Sequence, residues 1–141
     1  MTFRVSKLYE HASIPRRGYN GDAGYDVSAR EDVTIEPHSW KLVPTGIAIQ
    51  VPQDCYVRVA PRSGLSCRGV MVGAGVVDSN YRGEIKVLLF NMNKDTLNIK
   101  LGDRVAQLIF ERIYTPVLEE VSYEELTASE RGEGGFGSTG Q

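Results

Sequence analysis

The stretch PRSGLS (61–66) carries residue types that hold phosphate. It follows an apolar strand that ends at Ala60, and Arg62, Ser63 and Gly64 stand where that strand gives way to a short helical turn. Free N–H groups at such a turn can bind an anion, and arginine adds a fixed cation. A polar loop that merely caps the turn would use the same residues, so the stretch alone leaves both interpretations open.

A second stretch, GAGVVDSNYRGEIKV (73–87), predicts a β-hairpin with its turn at residues 78–80 between two apolar runs. Hairpin turns favour Asp and Asn for backbone reasons, and a Tyr at a strand start commonly packs. The functional interpretation is that main-chain groups contact a base edge, with Asp78 as general base and Tyr81 as the wall beneath a sugar.

Two strand-like stretches contain single polar residues. AGYDVSA (23–29) holds Asp26, and GDRVAQLIF (102–110) holds Gln107 in the middle of an apolar run. A buried amide without a partner costs about 1 to 3 kcal/mol, so Gln107 requires a hydrogen bond. A structural glutamine is the ordinary interpretation, and a ligand contact requires a pocket beside it.

The chain ends in RGEGGFGSTGQ (131–141), in which five of eleven residues are glycine. Glycine loses the most backbone freedom on ordering, which is typical of a flexible, solvated end. A plain linker has no need of a buriable ring or a fixed cation, yet Phe136 and Arg131 are present. The composition therefore predicts a tail that something else orders.

Other common chemistries have little support. The two histidines, His11 and His38, stand in separate polar stretches, and Cys55 and Cys67 lie twelve residues apart without a CxxC spacing. A hydrolytic site would therefore use carboxylate, arginine, hydroxyl and backbone groups. That combination suits polyphosphates, because arginine and N–H groups hold the charge while a carboxylate orients water.

The elements that must position these groups are predicted to be short strands. Apolar residues recur with period two and are punctuated by turn signals, and helical periodicity is confined to a turn or two at 65–68 and 123–129. The run RVAQLIFERI (104–113) is apolar on both faces in its middle, which indicates a strand buried on both sides. We expect an all-β sandwich or barrel of jelly-roll type.

Length and charge restrict the class of protein. The chain has 141 residues, enough for one domain, and its net charge is −2 with 41% apolar and 24% charged residues. A duplex nucleic-acid binder is usually more basic, so we expect no nucleic-acid partner. No apolar run reaches signal-peptide or membrane-spanning length, which predicts a soluble protein without a membrane partner, located in the cytoplasm or nucleus.

Together the five stretches, in this order from residue 23 to 140, resemble the five motifs of the trimeric dUTPase family. The resemblance implies a jelly-roll body over 1–129 and a flexible arm over 130–141 that closes over an active site of another subunit. It implies a homotrimer with three sites that hydrolyses dUTP to dUMP and pyrophosphate. The reaction would limit uracil incorporation into DNA and supply dUMP for dTTP synthesis.

The resemblance also implies roles for the nucleoside-binding residues. Asp78 would orient the water that attacks the α-phosphorus, and Tyr81 would pack on the deoxyribose and exclude a 2′-hydroxyl. The uracil edge would be read by main-chain groups of Gly75, Val76 and Val77.

For the phosphates, the resemblance implies contacts from Arg62, Ser63, Gly64 and Gln107. Phe136 of the arm would stack on uracil, and the arm would approach the γ-phosphate with Arg131, Gly137, Ser138 and Thr139. Asp26 would support the region of a Mg²⁺ cofactor, which itself would bind phosphates and water with no direct protein ligand.

Two positions depart from the family pattern. Many members carry Asp where Asn80 stands, and some bacterial members use an Asn near the position of Val72 to read uracil, where only the backbone is available here. Two other functions stay open at this point. A dCTP deaminase shares the fold but usually needs a glutamate general base where Asp78 stands. A nucleotide-binding regulatory protein would keep the pocket without the turnover.

Overall fold

The computed structural model describes residues 3–140 of the chain. Within that range the chain forms eleven β-strands, one four-residue α-helix and one 3₁₀ helix, which supports the all-β prediction. The strands are β1 (Arg4–Lys7), β2 (Tyr25–Ser28), β3 (Val33–Ile35), β4 (Ser39–Pro44), β5 (Ile47–Gln50), β6 (Cys55–Ala60), β7 (Val70–Gly73), β8 (Val76–Val77), β9 (Lys86–Asn91), β10 (Leu97–Ile99) and β11 (Arg104–Arg112). Helix α1 spans Ser63–Ser66, and the 3₁₀ helix spans Tyr123–Glu125.

The strands pair antiparallel in four sheets. The largest has the order β2-β11-β6-β8, a second has the order β4-β9-β7, and β1 pairs with β5 and β10 with β3. Neighbours in a sheet are seldom neighbours in sequence, because the chain crosses repeatedly between the sheets. This architecture is a jelly roll, as the strand pattern predicted.

Alternation of side chains along the strands builds one core. In β6, Val57 and Val59 are buried while Arg58 between them is exposed, because successive side chains point to opposite faces. Fully buried residues from all four sheets meet in the same cluster: Ile35, Val43, Ile47, Val87, Leu89 and Leu108. One core therefore holds the sheets together, and the loops and strand edges project from it.

Strand β11 is the central strand of the largest sheet, between β2 and β6. Val105 and Ala106 are adjacent in sequence and both are fully buried. The register with β2 shifts between Arg104 and Ala106, and such an irregularity lets consecutive side chains leave the usual alternation. Burial of consecutive side chains is therefore limited to the start of β11, whereas in its middle, predicted to be buried on both sides, Ile109 and Phe110 stay partly exposed.

The predicted hairpin over residues 73–87 is wrong in its pairing. Strands β7 and β9 do pair, and Gly73 lies opposite Leu88, but Val76 and Val77 leave this sheet and pair with β6. The chain turns between the sheets at Ala74 and Gly75, whose φ angles are 55° and 104°. Two short apolar runs around a polar turn do not specify which strand each will pair with, so the sequence favoured the local partner.

The two predicted helical turns are present, but their bounds differ from those predicted. The turn expected at 65–68 is α1, which begins two residues earlier, and the one expected at 123–129 is the short 3₁₀ helix. In residues 3–140 there is no helix with the length and apolar character needed to cross a bilayer.

Candidate active site

Three neighbouring strands bring the first group of predicted site residues together. Asp26 on β2 lies directly opposite Gln107 on β11, and Gln107 lies opposite Ala60 at the end of β6. The chain leaves β6 through Pro61 and reaches Arg62 just before α1. Asp26, Arg62 and Gln107 therefore meet at one end of the largest sheet, although the first and the last are 81 positions apart in the sequence.

Ion pairs hold the basic residues of this group. Asp26 Oδ1 lies 3.2 Å from Nε of Arg62, and Asp26 Oδ2 lies 3.6 Å from Nη1 of Arg104. Arg62 Nη1 also donates a 3.4 Å hydrogen bond to the carbonyl oxygen of Arg104. Two guanidinium groups around one carboxylate leave one net positive charge, and each guanidinium keeps free N–H groups. The arrangement suits a phosphate at this sheet end.

Arg104 also belongs to this group, although the sequence analysis did not predict it. It lies in the GDRVAQLIF stretch and opposite Ser28 of β2, two residues from Asp26. The sequence shows only that an arginine stands at the start of a strand. Its contact with Asp26 required the register of β11 against β2, which no local pattern provides.

Gln107 has the partner that its position required. Its Nε2 donates a 2.9 Å hydrogen bond to the carbonyl oxygen of Pro61, and this confirms the prediction that the amide needs a hydrogen bond. Gly24 makes room for the side chain, because a Cβ at that position would collide with the Gln107 amide. The glutamine is thus fixed beside Arg62, with Ser63 and Gly64 exposed at the start of α1.

The second group lies on the loop between β8 and β9. Asp78 is exposed at the end of β8, and its carbonyl oxygen accepts a hydrogen bond from the Tyr81 N–H at 3.1 Å. Arg82 closes the same turn by donating from Nη1 to the carbonyl oxygen of Ser79 at 2.7 Å. The loop is therefore internally bonded and presents Asp78 on a shallow pocket of about 500 Å³, which Tyr56 and Thr115 also line.

Tyr81 is held at the phenol end of its side chain. Its hydroxyl donates a 2.8 Å hydrogen bond to the carbonyl oxygen of Glu84, and its ring lies against Gly83, where a Cβ would collide with the phenol. The residue nevertheless remains 45% exposed. A phenol that is fixed and partly exposed can serve as a wall for a ligand.

The main chain of Gly75, Val76 and Val77 forms a sheet edge. Val59 N–H donates to the carbonyl oxygen of Gly75 at 2.8 Å, and β8 pairs with β6 on one side only. In the described part of the chain the other side of β8 has no strand partner, so its N–H and C=O groups can bind the edge of a planar ligand. The left-handed backbone at Gly75 suits glycine, and a Cβ there would lie 3.2 Å from the Val59 carbonyl oxygen.

The third group is the glycine-rich tail. Arg131 Nε donates to the carbonyl oxygen of Gly134 at 2.6 Å, and the ring of Phe136 is fully exposed. In the described structure every hydrogen bond of residues 129–140 joins two residues of that segment. The pocket of about 600 Å³ at Phe136 is lined by the tail's own residues, which include Gly137, Ser138 and Thr139. Gln141, the last residue of the predicted arm, lies outside the described residues.

The single chain does not bring the three groups into one pocket. Asp26 and Arg104 line one cavity, Asp78 lines another, and Arg131 and Phe136 line a third. In the described residues, the Asp26 and Arg62 group, the loop that carries Asp78 and the tail therefore line separate pockets.

A hydrogen-bonded triad adjoins the Asp78 pocket. The Tyr56 hydroxyl donates to Oε2 of Glu111 at 2.6 Å, and Arg58 Nε donates to Oε1 of the same carboxylate at 2.9 Å. These bonds, first that of Tyr56 and then that of Arg58, lower the pKa of Glu111. The same contacts raise the pKa of Tyr56 and of Arg58. The triad therefore links β6 to β11, and β6 is also the strand that pairs with β8.

The oxygen donors at the site suit a divalent metal that is bound mainly through substrate. Within residues 3–140 no three His, Cys, Asp or Glu side chains form a cluster that could hold a metal ion. Asp26 is a single carboxylate with two arginine partners. Mg²⁺ takes six oxygen ligands and often binds through substrate phosphates, water and at most one or two carboxylates. The residues present therefore fit a Mg²⁺ that arrives with a polyphosphate and do not form a closed metal cage.

Comparison with known proteins gives a consistent result. The sequence model of the dUTPase family matches residues 10–140. The chain is 51% identical to the human protein named mitochondrial deoxyuridine 5′-triphosphate nucleotidohydrolase, over 100% of this chain and 56% of that one. It is 52% identical to the mouse protein of that function, over 99% and 86%, and 48% identical to the Yarrowia lipolytica one, over 99% and 90%.

Solved structures resemble the chain over most of its length. A dUTPase of Staphylococcus bacteriophage 80alpha, solved with dUpNHpp, superposes with a TM-score of 0.92 at 28% identity and covers 99% of both chains. A dUTPase of phage phi11 of S. aureus, described with a structural Mg(II) ion, superposes with a TM-score of 0.83 at 27% identity, over 89% of this chain and 100% of that one.

Proposed function

The chain belongs to the dUTPase family and is a dUTP nucleotidohydrolase, and from that premise we propose how its own residues divide the work. The reaction is the hydrolysis of dUTP to dUMP and pyrophosphate. One observation carries the assignment: the loop after β8 joins an open main-chain edge, the exposed carboxylate of Asp78 and the fixed ring of Tyr81 within seven residues, 75–81. These are the groups that a base, an attacking water and a sugar require.

Uracil binds at the outer edge of β8. Its alternating carbonyl and N–H groups match main-chain donors and acceptors of Gly75, Val76 and Val77, as a further strand would. The 2′-deoxyribose packs on the ring of Tyr81, which the bond to Glu84 keeps in place. A 2′-hydroxyl would then meet an aromatic face without a hydrogen-bond partner, and this disfavours UTP.

The phosphates bind at the sheet end that carries Arg62, Ser63, Gly64 and Gln107. Arg62 contributes a guanidinium whose direction the ion pair with Asp26 maintains. Arg104 shares that carboxylate and adds positive charge next to it. Charge that develops on the phosphate oxygens in the transition state is stabilised by these donors without further reorganisation.

Asp78 serves the attacking water. A water molecule that donates to an Asp78 carboxylate oxygen is directed at the α-phosphorus, and the carboxylate accepts the proton as the new P–O bond forms. The bond from the α-phosphorus to the bridging oxygen breaks, and pyrophosphate leaves with the electron pair. Mg²⁺ bound to the triphosphate supplies charge neutralisation, and Asp26 supports its region indirectly.

The chain acts as a homotrimer with three sites. The main support is that the Asp26 and Arg62 group, the Asp78 loop and the tail lie on separate surfaces. Exposed apolar side chains on the β4-β9-β7 sheet and on the extended segment after β11 also suit burial by other copies. They are Trp40, Leu42 and Met71 on the sheet and Tyr114, Val117 and Leu118 on the segment.

The arm over residues 130–141 closes the site of another subunit. Phe136 stacks on uracil, while Arg131 binds the γ-phosphate with help from Gly137, Ser138 and Thr139. The support is that Phe136 is fully exposed and that, in the described chain, the arm's only hydrogen bond to the body goes from the Gly132 N–H to the adjacent Ser129 hydroxyl. An arm without a docking site on its own body is available to a ligand, and its glycines make ordering dependent on that ligand.

The cellular consequence follows from the reaction. Removal of dUTP limits uracil incorporation into DNA, and dUMP is the precursor for dTTP synthesis. We place the protein in the cytoplasm or nucleus, as the sequence suggests, although the human relative is a mitochondrial protein by name.

Pyrophosphate release with Mg²⁺ from dUTP, dTTP, dCTP and UTP at equal concentrations tests the assignment. We expect turnover of dUTP alone. Equal turnover of UTP would remove the sugar role of Tyr81, and turnover of dTTP would contradict uracil reading at β8. Release of ammonia from dCTP would indicate a deaminase. Binding of dUTP without turnover would indicate a regulatory protein.

A further inference from the structure

We propose that Glu84 is a positioning residue for sugar selection, which acts by holding the loop that carries Tyr81 against the body of the subunit. The inference rests on the proposed role of Tyr81 at the deoxyribose. It adds a residue outside the predicted site and assigns it a measurable effect on the discrimination between dUTP and UTP.

The Glu84 side chain is deeply anchored. Its Oε2 accepts a 2.7 Å hydrogen bond from Nε of Arg30 and a 2.8 Å hydrogen bond from the N–H of Gly46. Its side chain is 10% exposed and that of Arg30 is 20% exposed. The Arg30 guanidinium also stacks on Tyr9, 3.8 Å from the ring centroid. A charged carboxylate with this little exposure requires its partners, so the geometry is strongly specified.

Gly46 makes the anchor possible. Its φ angle is 76°, and a Cβ there would lie 2.7 Å from Ala12 Cβ and 2.9 Å from Arg30 Cδ. Only glycine fits this position, which lies between β4 and β5 and directs the Gly46 N–H towards the Glu84 carboxylate. The anchor thus joins the loop after β8 to a turn that lies far from it in sequence.

The main chain of Glu84 connects this anchor to the sugar wall. Its carbonyl oxygen accepts the 2.8 Å hydrogen bond from the Tyr81 hydroxyl. The next residue continues the attachment, because Ile85 N–H donates to the carbonyl oxygen of Ile47 at 2.9 Å. Glu84 therefore contacts the body of the subunit with its side chain and contacts Tyr81 with its backbone carbonyl oxygen. Tyr81 precedes it by three residues in the same loop.

Sugar discrimination depends on where the ring lies. A 2′-hydroxyl adds one oxygen, so a ring displaced by about 1 Å would admit it, and misplacement of that size is enough to change rates substantially. Loss of the Glu84 charge would leave Arg30 without its closest partner and free the loop. Binding of the uracil edge and the phosphates would change less, because those contacts come from other elements.

Glu84→Gln tests the inference, and Glu31→Gln is the matched control. Both remove a carboxylate near Arg30, but Glu31 is 53% exposed, lies 3.7 Å from Arg30 Nη1 and belongs to another segment. The ratio of kcat/KM for dUTP to kcat/KM for UTP is measured for each purified full-length protein, together with the Tm. We expect the ratio to fall on the order of tenfold in Glu84→Gln and to stay unchanged in Glu31→Gln.

Tyr81→Phe separates positioning from general destabilisation. It removes only the hydroxyl that bonds to Glu84, so the subunit body stays intact, and we expect it to lower the same ratio. The double variant should lose less than the product of the two single losses, since both act on one ring. Losses that multiply in the double variant would overturn the inference. If Glu84→Gln fails to fold, Tyr81→Phe alone still tests it, because an unchanged dUTP-to-UTP ratio in that variant would also overturn the inference.

Tyr81→Ala distinguishes failure of the inference from failure of the proposed function. If Tyr81→Ala leaves the ratio unchanged, the sugar role of Tyr81 is wrong and the inference falls with it. If Tyr81→Ala lowers the ratio and folded Glu84→Gln does not, the role of Tyr81 stands and the Glu84 inference alone is overturned.

Discussion

Asp26 Oδ1 lies 3.2 Å from Nε of Arg62, across 36 positions of sequence. The contact joins two stretches that the sequence identified separately, one strand-like and one at a helical turn. It forms because β2 and β6 flank the same central strand, β11. In the function that we propose, Asp26 thereby directs the guanidinium of Arg62 towards the phosphates and need not contact a metal itself.

Asp26→Asn should lower kcat/KM for dUTP by about tenfold, because Arg62 and Arg104 lose the carboxylate that holds them in position. Steady-state pyrophosphate release measures the effect. Asp54→Asn is the control, since Asp54 forms an exposed ion pair with Arg112 at 3.4 Å and lies away from the phosphate group. Equal kcat/KM values in the Asp26 variant and the unaltered protein would contradict the positioning role of Asp26.

Asp78→Asn should reduce kcat on the order of a hundredfold or more while dUTP binding persists, because the amide cannot accept the proton of the attacking water. Single-turnover kinetics and calorimetric binding of dUTP measure the two quantities. Asn80→Asp is the control on the same turn and should leave kcat close to its original value. Retained turnover in Asp78→Asn would assign the base to another residue.

Deletion of the chain after Glu130 should leave a folded protein with poor turnover, since in the described structure the only hydrogen bond from residues 131–140 to the rest of the chain joins the Gly132 N–H to the nearby Ser129 hydroxyl. Tm, circular dichroism and dUTP turnover are the measurements. Phe136→Ala should weaken turnover in the same direction by losing the stacking contact, whereas Glu133→Gln should not. Unchanged turnover in the truncated protein would show that the arm does not act as a lid.

Chelation of divalent ions with EDTA should abolish most dUTP turnover and leave the Tm of the nucleotide-free protein unchanged. The reason is that no carboxylate cluster for a metal is present in residues 3–140, so the ion is expected to arrive with the triphosphate. Readdition of Mg²⁺ should restore the rate. A Tm that falls on chelation would instead indicate an ion built into the fold.

Glu111→Gln should lower the Tm at pH 7 and have a smaller effect in acid. Hydrogen bonds from Tyr56 and then Arg58 lower the pKa of Glu111, so its contribution is present above the unfolded-state pKa of about 4.3. That contribution is lost as the pH falls through the lower folded-state pKa. Thermal melts from pH 7 down to about pH 3 show whether the Tm of Glu111→Gln approaches that of the unaltered protein in acid. Glu120→Gln, an exposed residue, should show no such pH dependence, and a constant Tm difference for Glu111→Gln would exclude this origin.

Local chemistry explains which features the sequence predicted well. Period-two burial in β6 and β9 follows from the pleat, and the need of Gln107 for a partner follows from the cost of an unpaired amide. Both depend on residue type and spacing alone. The pairing of Val76 and Val77 with β6 was missed because two apolar residues carry no information about their partner strand.

Residue types and their spacing predict the strand pattern, the order of the five motifs and a set of side chains suited to a triphosphate. The contact of Arg104 with the carboxylate of Asp26, and the link from Tyr81 through Glu84 to Arg30 and Gly46, are visible only in the folded chain. The difference arises because spacing along the chain governs which face a side chain takes. Contacts between distant strands depend instead on sheet order and register, which the burial of the whole core selects.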